Sequence, residues 1–563
     1  MTVDDRLGEA LRTVAALPFV CDRDVAGLLA IDRSEARRLL AELDRCGWAD
    51  WVAPRAAGSH PPHLYYLREE AMSALAERCG LAADDLAVVL PVGRQELLGR
   101  LARIASVTAV NRAVARLVAD LRPRGTSVVD AVACPLRAPV LERWWPRAAM
   151  AYVEVEDDEG PRSVFVAWDR AGATDAARQA IGRAWRSRRG AAPGTAIALV
   201  CADARQLRTW ERLLSGRARD GREVPDVVLA MAADVEEHGL LRARWRRPGS
   251  EADTPLCWGA ARAPIAGREA HRRLARGELG EVGRTGAPLR RTLDRTRVRR
   301  LGVGERVAAL AIALTPAELH LLAWTGLHPW LIERQIAVLT WDPPTVVRQR
   351  LAALERHGAI SSVELPGLTE PGWHITDDGL RAFALAEHDQ PRRLQRLGAV
   401  YVPRLAADGS GGIGLPRLLL HELGVNAVMV ELAERARRDG GRLAVWQNTG
   451  EAACYFEGRR FWIRPDAAGI LVGRDGETPF LLEYDRGTES EASLRAKFEG
   501  YERYYAAGAW DMAFDRMPVL LVVCAGYPSL QRVRRVAREV AGVPVLVVPE
   551  SGGWWTRVDG ATA

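Results

Sequence analysis

The chain has 563 residues, 48% of them hydrophobic and 27% charged, with a formal net charge of +6 and a pI near 9.0. That composition is ordinary for globular proteins and excludes wholesale disorder, and without a run of 18 apolar residues no membrane span is expected. At about 150 residues per domain the length predicts three to five domains, and mild basicity permits nucleic-acid partners without requiring them.

The first predicted domain spans 1–85. Helices are expected at 6–16, 22–30 and 33–46, followed by strands GWADWVA and HLYYLR around the loop PRAAGSHPP. This order predicts a winged helix-turn-helix. On its third helix Leu39, Leu40 and Leu43 form the inward stripe, and Arg33, Ser34, Arg37 and Arg38 face outward. Outward arginines suit phosphate and major-groove contacts; solvated charges on a protein-binding winged helix are the alternative. A second domain, 95–250, opens with a helix at 98–121. Residues 251–312 are rich in Arg, Gly and Pro and read as a basic linker with one helix at 266–277. Such a linker adds nonspecific phosphate affinity or is simply solvated.

A second winged helix is predicted over 313–392, with helices at 315–326, 329–340 and 343–357 and wing strands AISSVEL and GWHIT. Its third helix turns Val347, Leu351 and Leu354 inward and Thr345, Arg348 and Gln349 outward. The last domain, 395–550, opens with a helix at 416–438. Strands follow at 443–448, 460–464 with 469–473, and 479–485; then come a helix at 489–506, a strand at 518–525, a helix at 528–541 and a strand at 543–548. The order α-β-β-β-α-β predicts a mixed sheet with helices on both faces.

The chain is written twice. YYLREEAMSALA (65–76) parallels WHITDDGLRAFA (373–384), and AVNRAVARLVADLR (109–122) parallels GVNAVMVELAERAR (424–437). VAWDRAGATDAARQAIGRAW (166–185) parallels LEYDRGTESEASLRAKFEGY (482–501). The fold class expected is therefore α/β and α+β multidomain, in two tandem copies of one two-domain unit.

Lys497 is the only lysine among 78 Lys and Arg residues. A lysine that resists replacement by arginine needs a compact ammonium or a shiftable pKa; chance survival is the bland alternative. Thr488 and Glu491 have capping-box spacing, which predicts a helix start near 489. Lys497 then lies beside the apolar stripe Leu494, Phe498, Tyr501 and Tyr505. A lysine facing a sheet needs carboxylates, and the strands offer Asp466, Glu483 and Asp485, the last two on one strand face. Acidic residues at adjacent strand ends form an oxygen site for a hard cation such as Mg2+, where a lysine could stabilise phosphate charge.

RPD followed by LLEYDRGTES and LRAKFEGY resembles the PD-(D/E)XK nuclease superfamily. More narrowly, the winged helix with HELGVN, RPDA, EYDRGTES and KFEGYERYY resembles the replication-relaxation family over about 315–550. The resemblance implies Asp466 and Glu483 as metal ligands, with Lys497 supplied from the helix because Asp485 occupies the usual lysine position. It also singles out His421 and Asn426; for His421 a helix-start hydrogen bonder is the preferred reading. Tyr501 joins them as a candidate accessory residue. In copy one Arg147, Ala167, Asp169 and Arg183 stand for Asp466, Glu483, Asp485 and Lys497, so that copy is expected to be non-catalytic.

The function expected is that of a DNA-binding replication-relaxation type protein in plasmid or mobile-element DNA, with Mg2+-dependent nicking as its chemistry. The alternative is a non-catalytic regulator with inactive nuclease-like folds. Double-stranded DNA and other replication proteins are the partners expected. Scattered cysteines and a polar N-terminus fit a reducing cytoplasm. No GxxxxGK[ST], HExxH or GxSxG motif is present.

Overall fold

The computed structural model describes residues 3–53, 62–79, 90, 93–134, 146, 148–169, 178, 181–182, 185, 194–214, 225–250, 252–260, 289, 303–387, 419–457, 460–473, 476–514, 516–539 and 544–550. It divides into two compact units, with the principal boundary between Ala313 and Leu314.

The first unit begins with helices α1 (Val3–Ala16), α2 (Asp22–Leu29) and α3 (Arg33–Arg45), then the antiparallel pair β1 (Ala49–Val52) and β2 (Leu64–Leu67), then α4 (Glu69–Cys79). α3 starts where the Asp32 carboxylate accepts from Glu35 N–H at 2.9 Å, an N-cap. Leu39, Leu40 and Leu43 are buried, while Arg33, Ser34, Arg37 and Arg38 are exposed. Helices α5 (Arg94–Leu101) and α6 (Ile104–Leu121) lead into the sheet strands β3 (Ser127–Ala133), β4 (Ala149–Asp157), β5 (Gly160–Trp168) and β6 (Ala196–Cys201). The single helix expected at 98–121 is thus broken near Ala102. Helix α7 (Ala204–Leu214), β7 (Asp226–Met231), α8 (Ala232–His238), β8 (Trp245–Arg246), β9 (Asp253–Thr254) and β10 (Gly259–Ala260) complete the sheet, and α9 (Val303–Ala313) closes the unit. The linker expected over 251–312 therefore shrinks at both ends: β9 and β10 pair into the sheet, and α9 packs against α5, with an Arg94–Glu305 ion pair. Its helix at 266–277 lies outside the described residues.

The second unit repeats the plan. Helices α10 (Pro316–Leu327), α11 (Glu333–Thr340) and α12 (Pro344–Arg356) precede the antiparallel pair β11 (Ile360–Val363) and β12 (Gly372–Ile375), then α13 (Asp377–Glu387). Thr315 and Glu318 form a capping box and Pro316 takes the first helical position. Val347, Leu351 and Leu354 are buried; Thr345, Arg348 and Gln349 are exposed. Then come α14 (Leu419–Arg438), β13 (Arg442–Asn448), the short α15 (Thr449–Ala452), the hairpin β14 (Cys454–Phe456) and β15 (Phe461–Ile463), and β16 (Ala467–Gly473). β17 (Gly476–Asp485), α16 (Glu491–Ala506), β18 (Val519–Cys524), α17 (Tyr527–Glu539) and β19 (Val545–Pro549) finish the chain as described. β15 was expected in the main sheet; it pairs instead with β14.

The duplication is visible in the backbone. The strand order β13-β16-β17-β18-β19 is antiparallel, antiparallel, parallel, parallel, and β3-β4-β5-β6-β7 repeats that order and sense. Left-handed residues recur in matched places: Phe19 (φ 68°) and Trp330 (φ 73°), Ala30 (φ 53°) and Trp341 (φ 64°). Non-glycine residues rarely adopt such φ values, so two matched pairs mark one inherited chain path. Asn111 and Asn426 each donate through Nδ2 to a proline carbonyl, Pro18 and Pro329, at 2.9 Å. Each amide ties the long helix to the three-helix module of its own unit. Replacing Asn426 by Ala leaves the Pro329 carbonyl short of its donor, and should destabilise the second unit by about 1–3 kcal/mol. A lowered urea midpoint would register this; an unchanged midpoint would show that the strut contributes nothing.

Candidate functional site

β17 runs between antiparallel β16 and parallel β18, so both its faces are covered by helices. Side chains alternate along it. Tyr484 points to α14, where an added Cβ on Gly424 would come within 2.1 Å of its ring. Gly424 is therefore the close-approach position of the HELGVN stretch. Glu483 and Asp485 point the other way, toward α16 and α17.

They serve different helices. Glu483, 5% exposed, accepts from Lys497 Nζ at 2.9 Å on Oε2 and from the Tyr501 hydroxyl on Oε1. Asp485 accepts from the Ser529 hydroxyl, from Arg532 at 3.2 Å and from Gly487 N–H at 2.9 Å. It anchors α17, whereas the lysine goes to Glu483, one of the two carboxylates of this strand face. Asp169, at the matching place in the first unit, holds Arg178 at 2.8 Å and the Trp210 indole N–H at 2.9 Å. The strand-end carboxylate is a fastening common to both units.

The helix start differs from expectation. Ser490 is the N-cap, accepting from Ser493 N–H at 3.1 Å, and the helix begins at Glu491. Glu489 consequently stands outside the helix and accepts from Lys497 Nζ at 2.7 Å. Sequence reasoning missed this second partner; its signal was an acid just before the cap, about two turns from Lys497. Burial disfavours the charge on Lys497, but Glu483 and Glu489 outweigh it and hold the amine well above its usual pKa. Burial, and then the charge of Asp466, push Glu483 up to about 7 against the pull of Lys497 and Tyr501. Burial and the neighbouring Glu483 likewise raise Tyr501.

Asp466 sits at the mouth of β16, with its N–H donating to Leu482 O at 2.9 Å. Its Oδ2 accepts from Tyr484 N–H at 2.8 Å, and its Oδ1 lies 3.0 Å from His421 Nε2. Burial works against the imidazolium, yet the Asp466 hydrogen bond and charge raise the His421 pKa. His421 is thus an Asp466 partner rather than a helix-start bonder. Glu422 beside it is also raised, by burial and by Asp466. Asn426 lies away from this cluster, on its proline strut. In the first unit Ala167 stands opposite Leu199 as Glu483 stands opposite Val522, so the central carboxylate is gone there. Arg147 and Arg183 lie outside the described residues.

All four oxygens of Asp466 and Glu483 hold protein donors: His421, the Tyr484 N–H, Tyr501 and Lys497. Among the described residues no group of three or more His, Cys, Asp or Glu has metal-holding geometry. A Mg2+ ion at the two carboxylates would share these oxygens with their donors, through the second lone pair of each. What the arrangement can do is exchange a proton near neutral pH between Glu483 and its surroundings while Lys497 keeps its charge.

The third helices carry the other candidate residues. Arg33 and Arg37 reach Asp22 at 2.9 Å each, Arg38 reaches Glu35 at 3.7 Å, and Arg348 reaches Glu333 at 2.8 Å. These arginines keep 61–68% side-chain exposure, so water and ligands reach them. Among the described residues no single helix is long and apolar enough to cross a membrane.

Residues 322–520 match the family model described as replication-relaxation, a stretch that contains α12, Asp466, Glu483 and Lys497. No curated protein and no solved structure matches the chain.

Proposed function

We propose that the chain, whose residues 322–520 match the replication-relaxation family model, is a DNA-binding protein acting in replication or relaxation of plasmid or mobile-element DNA. Its three-helix and hairpin modules are winged helices, and α3 and α12 lie against duplex DNA. The observation that carries this reading is the shared design of the two third helices. In each, the apolar side is buried and an acid of the preceding helix fixes outward arginines: Asp22 holds Arg33 and Arg37, and Glu333 holds Arg348. A guanidinium held this way keeps free N–H donors for phosphate, and most protein–DNA hydrogen bonds are of that kind.

The α/β domain of the second unit brings Asp466, Glu483 and Lys497 together. That meeting favours a second reading, metal-dependent cleavage. A cation there would share the carboxylate oxygens with His421, Tyr501 and Lys497, and Asp485 stands at the usual lysine position, so DNA binding without cleavage is the first reading.

Replacing Arg348 and Gln349 together by Ala should weaken duplex binding and lower the slope of log affinity against log salt by about one for each phosphate that α12 no longer neutralises. Asp466→Asn should leave duplex affinity unchanged. Titrations by fluorescence anisotropy across a salt series read both. An unaltered affinity and slope in the double variant would remove α12 as a DNA-contacting helix.

A further inference from the structure

The hairpin of β14 and β15 carries an aromatic pair that is half exposed to water. Alternation sends Phe456 and Ile463 inward, where Phe456 meets the Tyr504 ring edge-on at 5.8 Å. The opposite face presents Tyr455 and Trp462, cross-strand partners whose rings lie 6.2 Å apart at 23°. They are 52% and 54% exposed. Large aromatics set side by side and half exposed offer a flat π-surface to a ligand. The charge around them has one sign above all. Arg460, Arg464 and Arg503 are exposed, with Arg460 and Arg503 placed over the Phe461 ring at 5.3 Å and 5.4 Å; Glu457 at the turn is the counter-charge. The second strand then runs through Arg464 and Pro465 directly into Asp466.

We propose that Tyr455 and Trp462 form a stacking platform for unpaired bases of single-stranded DNA, with Arg460, Arg464 and Arg503 tracking its phosphates. The proposal rests on the DNA association argued above. Bases stack on aromatic side chains regardless of sequence, and cationic side chains beside them follow the backbone. A duplex has no free base face to offer, so the platform discriminates strand state. Because Trp462 lies four residues before Asp466, a strand seated on the hairpin is led toward the Glu483–Lys497 centre.

The test is anisotropy of labelled oligo(dT), of a mixed-sequence duplex and of oligo(U), with wild type, Trp462→Ala, Trp462→Phe and Tyr455→Ala. Far-ultraviolet circular dichroism checks that each variant folds. Trp462→Ala should weaken oligo(dT) binding roughly 5- to 150-fold, Trp462→Phe should recover most of the loss, and duplex affinity should stay within twofold. Equal oligo(dT) affinity in wild type and Trp462→Ala, with duplex binding intact, overturns the platform and leaves the DNA reading standing. Absence of duplex binding in the wild type overturns the DNA reading itself. Tighter Trp462-dependent binding of oligo(U) than of oligo(dT) would reassign the strand to RNA. A change of oligomeric state in Trp462→Ala without a change in oligo(dT) affinity would make the pair a self-association face.

Discussion

Replacing Lys497 by Met is expected to destabilise the second unit by about 2–4 kcal/mol near neutral pH. Breaking a buried pair by removing one partner leaves an uncompensated charge and costs about 3–5 kcal/mol. The Lys497 side chain is 34% exposed, so water screens part of that loss. Two carboxylates are abandoned together, Glu483 on the sheet and Glu489 before the helix. Lys497→Arg should retain most of the stability, because a guanidinium can reach both carboxylates. Thermal unfolding of the three proteins decides it. Equal losses in the Met and Arg variants would mean that shape, not charge, holds the amine in place.

The second large effect is a pH dependence. Glu483 has its pKa raised to about 7, chiefly by burial and by Asp466, against an ordinary value of about 4.3. The folded state therefore binds the proton more tightly than the unfolded chain. The stability this supplies is complete below the ordinary carboxylate range and is lost as pH rises through about 7. Glu483→Gln removes this proton, so its stability should decline less across that window than the wild type's, the remaining slope coming from His421 and Glu422, whose pKa values are also raised. Urea midpoints at intervals between about pH 5 and about pH 8 would show the two curves converge or part. A wild-type curve rising with pH through this window would contradict the raised pKa of Glu483.

The face of each third helix could be read from sequence because apolar residues repeat at helical spacing, and burial follows that spacing at Leu39, Leu43, Leu351 and Leu354. Strand alternation likewise placed Glu483 and Asp485 on one side of β17. What alternation cannot state is where two helices cross that side. Lys497 on α16 reaches Glu483, while Ser529 and Arg532 on α17 take Asp485. The helix start was misplaced because Thr488 and Glu491 have capping-box spacing, yet Ser490 supplies the cap. That shift of two residues sets Glu489 beside Lys497. β15 was folded into the main sheet and β14 passed over, because strands of three residues are too short for periodicity to separate from a bend. The repeat, by contrast, survived in features few substitutions disturb: the left-handed turns, the two asparagine struts and the strand order.

The proposed reading, duplex binding without cleavage, is tested most directly on supercoiled plasmid. The intact protein is titrated onto it at low salt, in parallel with Mg2+ and with EDTA, and the products are resolved by electrophoresis before and after removing the protein. Retardation is expected in both conditions, lost as salt rises, with the plasmid still supercoiled after deproteination. Plasmid that migrates freely at low salt, or nicked and linear product that accumulates only with Mg2+, would contradict it.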